Sequence, residues 1–428
     1  MRAIAALFAL WFVSAFVSGA ETPPRLKYVV IISRHGVRAP TWNADRLHEY
    51  SSAPWPNFGV PPGNLTAHGR TLMKLMGTYY AEWLSREQLV NRNDCGVAAR
   101  VHIWADTDER TLESAKALAG GMLPDCQVPV HSEAAGTTDP LFDPIAAGVA
   151  VPDNAKAVRA LRDRLDGEYA ALMNTHRPAF DTLQQILVGD GHAPKMVLSG
   201  TSVDVSAGAK SVELSGPFST ASTLSENLLL EYANGFRDRE LGWGRLDSAR
   251  LLQVLELHAA YADLLRRTPY LARLRGSNLL SHVLDSMTQA VTAAPIPGAL
   301  GTAGDALLVV SGHDTNLSNI SGMLGLTWSI PGYPRDDTPP GGALIFSLWT
   351  GPDGPFVRTE YVVQTLEQMR EATPLSMTRP PARVEVTIPG CATKNPSSTC
   401  SWDGFARAVR AAIDSNATSY SGAPRSLR

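Results

Sequence analysis

The sequence predicts an α/β fold, a mixed and mainly parallel sheet flanked by helices, with a second, mostly helical domain beside it. Three observations carry this expectation. The runs Tyr28-Val29-Val30-Ile31-Ile32 and Ala306-Leu307-Leu308-Val309-Val310 are continuously apolar, the pattern of strands buried on both faces. Strand signals alternate with helical periodicity in the first and last thirds of the chain. From Asn154 to Leu265 the strand signals fade and helical spacing dominates, as in Leu224 to Tyr232 and Leu251 to Leu265. The implied division is an α/β domain made of residues 24–150 and 266–428, interrupted by a helical domain at residues 151–265.

In chain order, Lys27 to Ile32 is the first strand. Thr41 to Asn64 is rich in Pro, Trp and Asn and reads as a long loop. A helix follows from Leu65-Thr66 to about Leu89, with apolar positions at Leu72, Leu75, Met76, Tyr79 and Trp83. Val101 to Ala105 is the second strand. Asp106-Thr107-Asp108-Glu109 then opens a helix whose acidic first turn suits the dipole; it carries Arg110 and ends near Gly120-Gly121. Val128 to His131 is a third, short strand. Gly189-Asp190-Gly191 and Ala207-Gly208 link the helices of the central segment. Further strands are expected at Ala306 to Val310, Ala343 to Trp349, Val357 to Gln364 and Val384 to Ile388. Ser419 to Arg428 reads as a disordered tail.

The chain has 428 residues, 44% hydrophobic and 18% charged, enough for a large core and more than one domain. A formal net charge of -3 without any basic run argues against nucleic acid as a partner. The N-terminus reads as an export signal: Arg2, an apolar stretch from Ala3 to Val17, then Ser18-Gly19-Ala20 as a small-residue cleavage site. Residues 1–20 are therefore the expected signal peptide, and the mature chain is expected in the periplasm or outside the cell, free of the membrane. No obligate protein partner is inferred. The four cysteines, Cys95, Cys126, Cys391 and Cys400, suggest two disulfides in an exported chain. Three connectivities are possible, and pairing sequence neighbours is the simplest. None shows zinc-ligand spacing, and no metal site is expected.

The first apolar run ends in Arg34-His35-Gly36-Val37-Arg38-Ala39-Pro40-Thr41. Two guanidinium groups around one imidazole gain nothing obvious for stability. Each, however, presents a planar fork of donors that fits phosphate oxygens, and a neutral imidazole between them is a nucleophile aimed at the anion they hold. The second run leads into Ser311-Gly312-His313-Asp314-Thr315-Asn316, again a strand ending in a Gly-flanked histidine. Ligands of open α/β sheets sit beyond the carboxyl ends of the strands, so the two motifs are expected to face one pocket. With Arg34, Arg38 and Arg110 on a phosphomonoester dianion, His35 attacks phosphorus, Asp314 protonates the leaving alkoxide, and His313 donates to a phosphate oxygen. An unperturbed aspartic acid titrates near about 4, so a carboxyl that must start protonated implies best activity in acid. Arg110 has a competing reading: with Asp106, Asp108 and Glu109 just before it, an ordinary surface ion pair serves as well.

Arg34 to Thr41 resembles the R-H-G-x-R-x-P signature of the histidine acid phosphatases, and His313-Asp314 resembles that family's distal H-D pair. Ala105 to Thr111, Leu123 to Cys126, Asp139 to Phe142, Gly242 to Arg245, Thr338 to Gly342 and the stretch from Gly390 to Ser401 resemble its bacterial periplasmic phytase branch. The resemblance implies a site in the cleft between the two domains. It also implies hydrolysis of phosphomonoesters, inositol phosphates or sugar phosphates, through a phosphohistidine, with no metal or other cofactor. Position by position, His35 becomes the nucleophile and Asp314 the proton donor. Arg34, Arg38, Arg110 and His313 become phosphate ligands, and Thr41, Glu226 and Thr315 line the substrate pocket. That branch carries a lysine after the threonine of the first motif. Here Trp42 stands there, and it is expected to stack on a flat leaving group. The alternatives are a sugar phosphatase of narrow specificity, a phosphotransferase, and a non-enzymatic binder of phosphorylated ligands.

Overall fold

A computed structural model describes residues 23–165, 169–197, 205–206, 212–391 and 399–419. The expected signal peptide, the Ala207-Gly208 linker and the tail beyond Ser419 lie outside these residues. Ser419 itself is not tail: its N–H donates to Asn278 Oδ1 at 2.9 Å.

The strands are β1 (Arg25–Arg34), β2 (Val101–Ala105), β3 (Val130–His131), β4 (Val205–Ser206), β5 (Glu213–Leu214), β6 (Leu307–Gly312), β7 (Ala343–Gly351), β8 (Gly354–Val363), β9 (Ala382–Glu385) and β10 (Thr399–Ser401). The helices are α1 (Ala44–His48), α2 (Ala67–Arg86), α3 (Glu109–Met122), α4 (Asn154–Leu165), α5 (Tyr169–Thr175), α6 (Arg177–Val188), α7 (Pro217–Ala233), α8 (Ser248–Arg267), α9 (Pro269–Thr292), α10 (Asp314–Leu324), α11 (Leu366–Arg370) and α12 (Trp402–Ala412). One sheet runs β10-β8-β7-β1-β6-β2-β3, with β9 also on β8. β1, β6, β2 and β3 pair parallel. On the other side of β1 the sheet continues antiparallel through β7 and β8. Thus β1, β2, β3, β6 and β8 point one way and β7, β9 and β10 the other.

Successive strand residues point to opposite faces, so β1 feeds two cores. Tyr28, Val30 and Ile32 join Leu308, Val310, Leu344 and Phe346 in a cluster continuous with the buried faces of α6, α7, α8, α9, α10 and α12. Val29 and Ile31 join Leu307, Val309 and Ile345 under α2 and α3. Both runs are apolar at every position because neither face meets water. Each fully buried aliphatic side chain contributes roughly 1.5–3 kcal/mol.

Some boundaries differ from expectation. The long loop after β1 contains α1, nucleated where the Asn43 side chain accepts the Arg46 N–H at 3.0 Å. The third strand is only Val130–His131, and the ninth is Ala382–Glu385 rather than Val384 to Ile388. α3 starts at Glu109, because Asp106 is drawn to a partner across the sheet. Helix continues past 265: α8 ends at Arg267, and Pro269, with its ring pre-set for a first helical turn, starts α9. Disulfides join Cys95 to Cys126 and Cys391 to Cys400. Among the described residues no helix is long and apolar enough to cross a membrane.

Candidate active site

The register of β1 and β6 sets Arg34 beside Gly312, so the residues that follow emerge together at the carboxyl ends of the strands. The His35 and His313 rings lie 5.6 Å apart, edge to face. The His35 backbone is pinned on both sides: its N–H donates to Gly312 O at 2.9 Å, and its carbonyl accepts from Gly341 N at 3.0 Å. Gly36 must be glycine, since a Cβ there would lie 2.8 Å from Met73 Cγ and 3.0 Å from Gly69 O.

His35 Nδ1 is 2.8 Å from Gly36 O. A carbonyl only accepts, so Nδ1 holds the proton and the Nε2 lone pair is free for attack. Burial, then Arg34, Arg110, Arg38 and His313, push this imidazole well below its ordinary range. The neutral form is therefore favoured. His35 shares the wall of one cavity of about 530 Å³ with Arg38, Arg110, His313, Asp314 and Thr315. Arg34 is set behind that wall at 1% exposure. Its Nη1 donates to Thr338 O at 2.6 Å and its Nη2 to Glu226. The other Glu226 oxygen accepts from Arg38 Nη2 at 3.0 Å. Glu226 is thus buried beneath the arginines rather than lining the cavity. Burial raises its carboxyl, but Arg38, then Arg34 and His258, outweigh this and bring it down to about 2. Arg34 Nε and Arg110 Nε are buried with no hydrogen-bond partner among the described residues. Such donors fit an anion.

Asp314 opens α10, where the helix dipole favours negative charge. Its Oδ2 lies 2.6 Å from Arg266 Nη1 and 3.8 Å from both Arg34 Nη2 and His258 Nε2. Burial pushes this carboxyl up, but Arg266, Arg34 and His258 hold it well below the usual range. His313 Nε2 contacts Asp106 Oδ2 at 2.6 Å, and its Nδ1 faces Arg110 Nη2 at 3.4 Å. Arg110 pairs with Asp108 at 2.6 Å and also lines the cavity.

The chain matches the family described as histidine phosphatase superfamily (branch 2) over residues 25–364. It belongs to that superfamily. Phytase AppA of Escherichia coli K12 is 37% identical, with 92% of this chain and 94% of that protein aligned. Glucose-1-phosphatase of Salmonella typhimurium LT2 is 27% identical over 88% and 91% of the two chains. The Hafnia alvei phytase in complex with tartrate superposes with a TM-score of 0.86 at 33% identity, covering 93% of this chain and 100% of that one. The chain is a histidine acid phosphatase, an enzyme class that hydrolyses phosphomonoesters.

Besides Glu226, two more residues expected in the pocket of this histidine phosphatase sit elsewhere. Thr41 is exposed and outside the cavity wall, near Gly63, which also borders Arg110. Trp42 packs against the core, with the Arg46 guanidinium 3.9 Å above its ring and Tyr50 at 5.9 Å. One face of its ring is covered by the protein's own cation. Other groups escaped the sequence reading. Asp106 looked like a helix-start acid, and only the pairing of Ala105 with Ser311 across β2 and β6 turns it toward His313. Arg266 in the last turn of α8 reads as a dipole complement, and nothing near it in sequence points to Asp314. Among the described residues, two groups of carboxylates and imidazoles lie close enough to hold a metal ion, Asp106 with Asp108 and His313, and Glu226 with His258 and Asp314. Guanidinium groups already occupy these oxygens: Arg110 on Asp108, Arg34 and Arg38 on Glu226, and Arg266 on Asp314. A cation would have to displace them.

Proposed function

We propose that His35 Nε2 attacks the phosphorus of a bound phosphomonoester in line, forming an N–P bond as the ester P–O bond breaks. Asp314, protonated in the complex, gives its proton to the leaving alkoxide. Water then attacks phosphorus, the N–P bond breaks, the Asp314 carboxylate takes the water proton, and orthophosphate leaves. Arg38, Arg110 and His313 hold the phosphoryl oxygens, Asp106 orients His313, and Arg34 adds its charge from behind. The observation that carries this reading is the common cavity of His35 and Asp314, with a neutral imidazole and a carboxyl on its wall.

The preferred ester is proposed to be an inositol polyphosphate. The cavity brings in a further guanidinium, Arg275 from α9, beyond the Arg38 and Arg110 that serve the reacting phosphate. The 37% identity to a phytase points the same way. The 25–27% identity to glucose-1-phosphatases supports a second reading, a sugar phosphatase of narrow specificity. Phosphate release from inositol hexakisphosphate, glucose 1-phosphate and p-nitrophenyl phosphate at acid pH separates the two. The first reading expects the highest kcat/KM with the hexakisphosphate; a clear preference for glucose 1-phosphate would replace it with the second. The N-terminal segment supports a periplasmic or secreted enzyme, and the helices α4 to α8 support a second domain at residues 151–265.

A further inference from the structure

Arg266 closes α8, the helix that also carries His258, and its Nη1 donates to Asp314 Oδ2 at 2.6 Å. We propose that Arg266 is a positioning residue that tunes the general acid: it holds the Asp314 carboxyl in place and fixes how far toward neutrality the enzyme keeps working. The inference rests on the reading of Asp314 as proton donor.

The groups facing Asp314 come from several elements. Arg34 approaches from β1, Arg110 acts from α3, and Arg266 and His258 reach in from α8. Against them stand Glu226 from α7 and Asp337 from the segment before β7. Arg34 is already matched by Glu226, and Arg110 by Asp108. Both belong to the phosphate cradle, so an arriving dianion offsets their charge. Arg266 makes no other carboxylate pair among the described residues, and Arg275 from α9 adds a like charge near it. The guanidinium still facing Asp314 once phosphate is bound is therefore Arg266, at 2.6 Å, with the more distant His258 at 3.8 Å beside it. It opposes protonation of the carboxyl, and the acid form is lost at a lower pH than it would otherwise be.

The test compares pH profiles of kcat for glycerol 2-phosphate, whose alkoxide needs a proton to leave, and p-nitrophenyl phosphate, whose phenolate does not. In Arg266→Gln the alkaline limb with glycerol 2-phosphate should move upward by about 1–3 pH units, the range by which a neighbouring opposite charge shifts a carboxyl. The limb with p-nitrophenyl phosphate should not move with it. Arg266→Lys should restore most of the parent limb, and Arg266→Met provides a second charge deletion if the glutamine variant folds poorly. A glycerol 2-phosphate limb that coincides with the parent's, or moves equally for both esters, overturns the inference. Asp314→Asn distinguishes the two levels of failure. If that variant loses glycerol 2-phosphate hydrolysis selectively while Arg266→Gln leaves the limb in place, only the role of Arg266 falls. If it loses both esters equally, the reading of Asp314 falls and takes this inference with it.

Discussion

His35 is kept neutral and Asp314 is kept charged by overlapping sets of guanidinium groups. Arg34 acts on both, disfavouring an imidazolium at one and favouring a carboxylate at the other. His35→Ala should abolish turnover and the acid-labile phosphoenzyme seen on rapid quench, with an unchanged circular dichroism spectrum. Asp314→Asn should slow alkyl esters by about 10²–10⁴, the usual worth of a general acid, and nitrophenyl phosphate far less, as steady-state rates on both will show. Glu226 supplies the anion that lets Arg34 and Arg38 be buried side by side. Glu226→Gln leaves those charges uncompensated, so urea denaturation should reveal a loss of about 3–5 kcal/mol. These three side chains divide by legibility. His35 and Asp314 stand in local motifs. Glu226, on a helix far along the chain, looks in sequence like any polar position of α7.

At the scale of elements, α7 also carries Glu231, fully buried on the same helix. Its Oε2 accepts the Gly242 N–H at 2.9 Å, in a turn where Gly242 has φ +49° and Trp243 has φ +58°. Burial, only partly offset by that N–H, pushes the carboxyl up to about 8. The folded state therefore keeps a proton that the unfolded chain releases near 4.5, and stability falls as pH rises from about 4.5 to about 8. Glu231→Gln should remove this slope: thermal melts should coincide with the parent near pH 4 and lie above it at pH 8. α2 and α3 depend on a different feature. A Cβ at Gly77 would run into Leu118 O, and one at Gly121 into Lys74 O. Gly121→Ala should destabilise by about 3 kcal/mol, as overpacking does, read from the urea midpoint. The apolar spacing of α2 was plain in sequence. The start of α3 was not, because Asp106 answers to His313 across the sheet rather than to its own helix.

For the whole molecule, acid conditions serve stability and catalysis alike. Glu231 keeps its proton there, and a general acid that nearby cations hold charged gains its proton only as the pH falls. His35 is already neutral, so lowering the pH does not quickly quench the nucleophile. Activity on alkyl phosphates should peak in acid and decline toward neutrality, as a pH profile will record. The Cys95–Cys126 bridge closes a loop of 31 residues. On the chain-entropy account, removing it with a double serine variant should lower the unfolding free energy by about 3.5 kcal/mol.

The central strands, the two reactive motifs and the acid-phosphatase chemistry were legible in the residues alone, because they depend on neighbours: continuous apolar runs that stop at a histidine, and arginines within a turn of it. The tertiary structure alone decided that Glu226 lies beneath the arginines, that Asp106 holds His313, that Arg266 grips Asp314, and that Arg46 covers one face of the Trp42 ring. Each of these pairings except the last joins residues on separate elements. Electrostatic partnership depends on distance in space, which sheet register and helix packing set and residue spacing does not record.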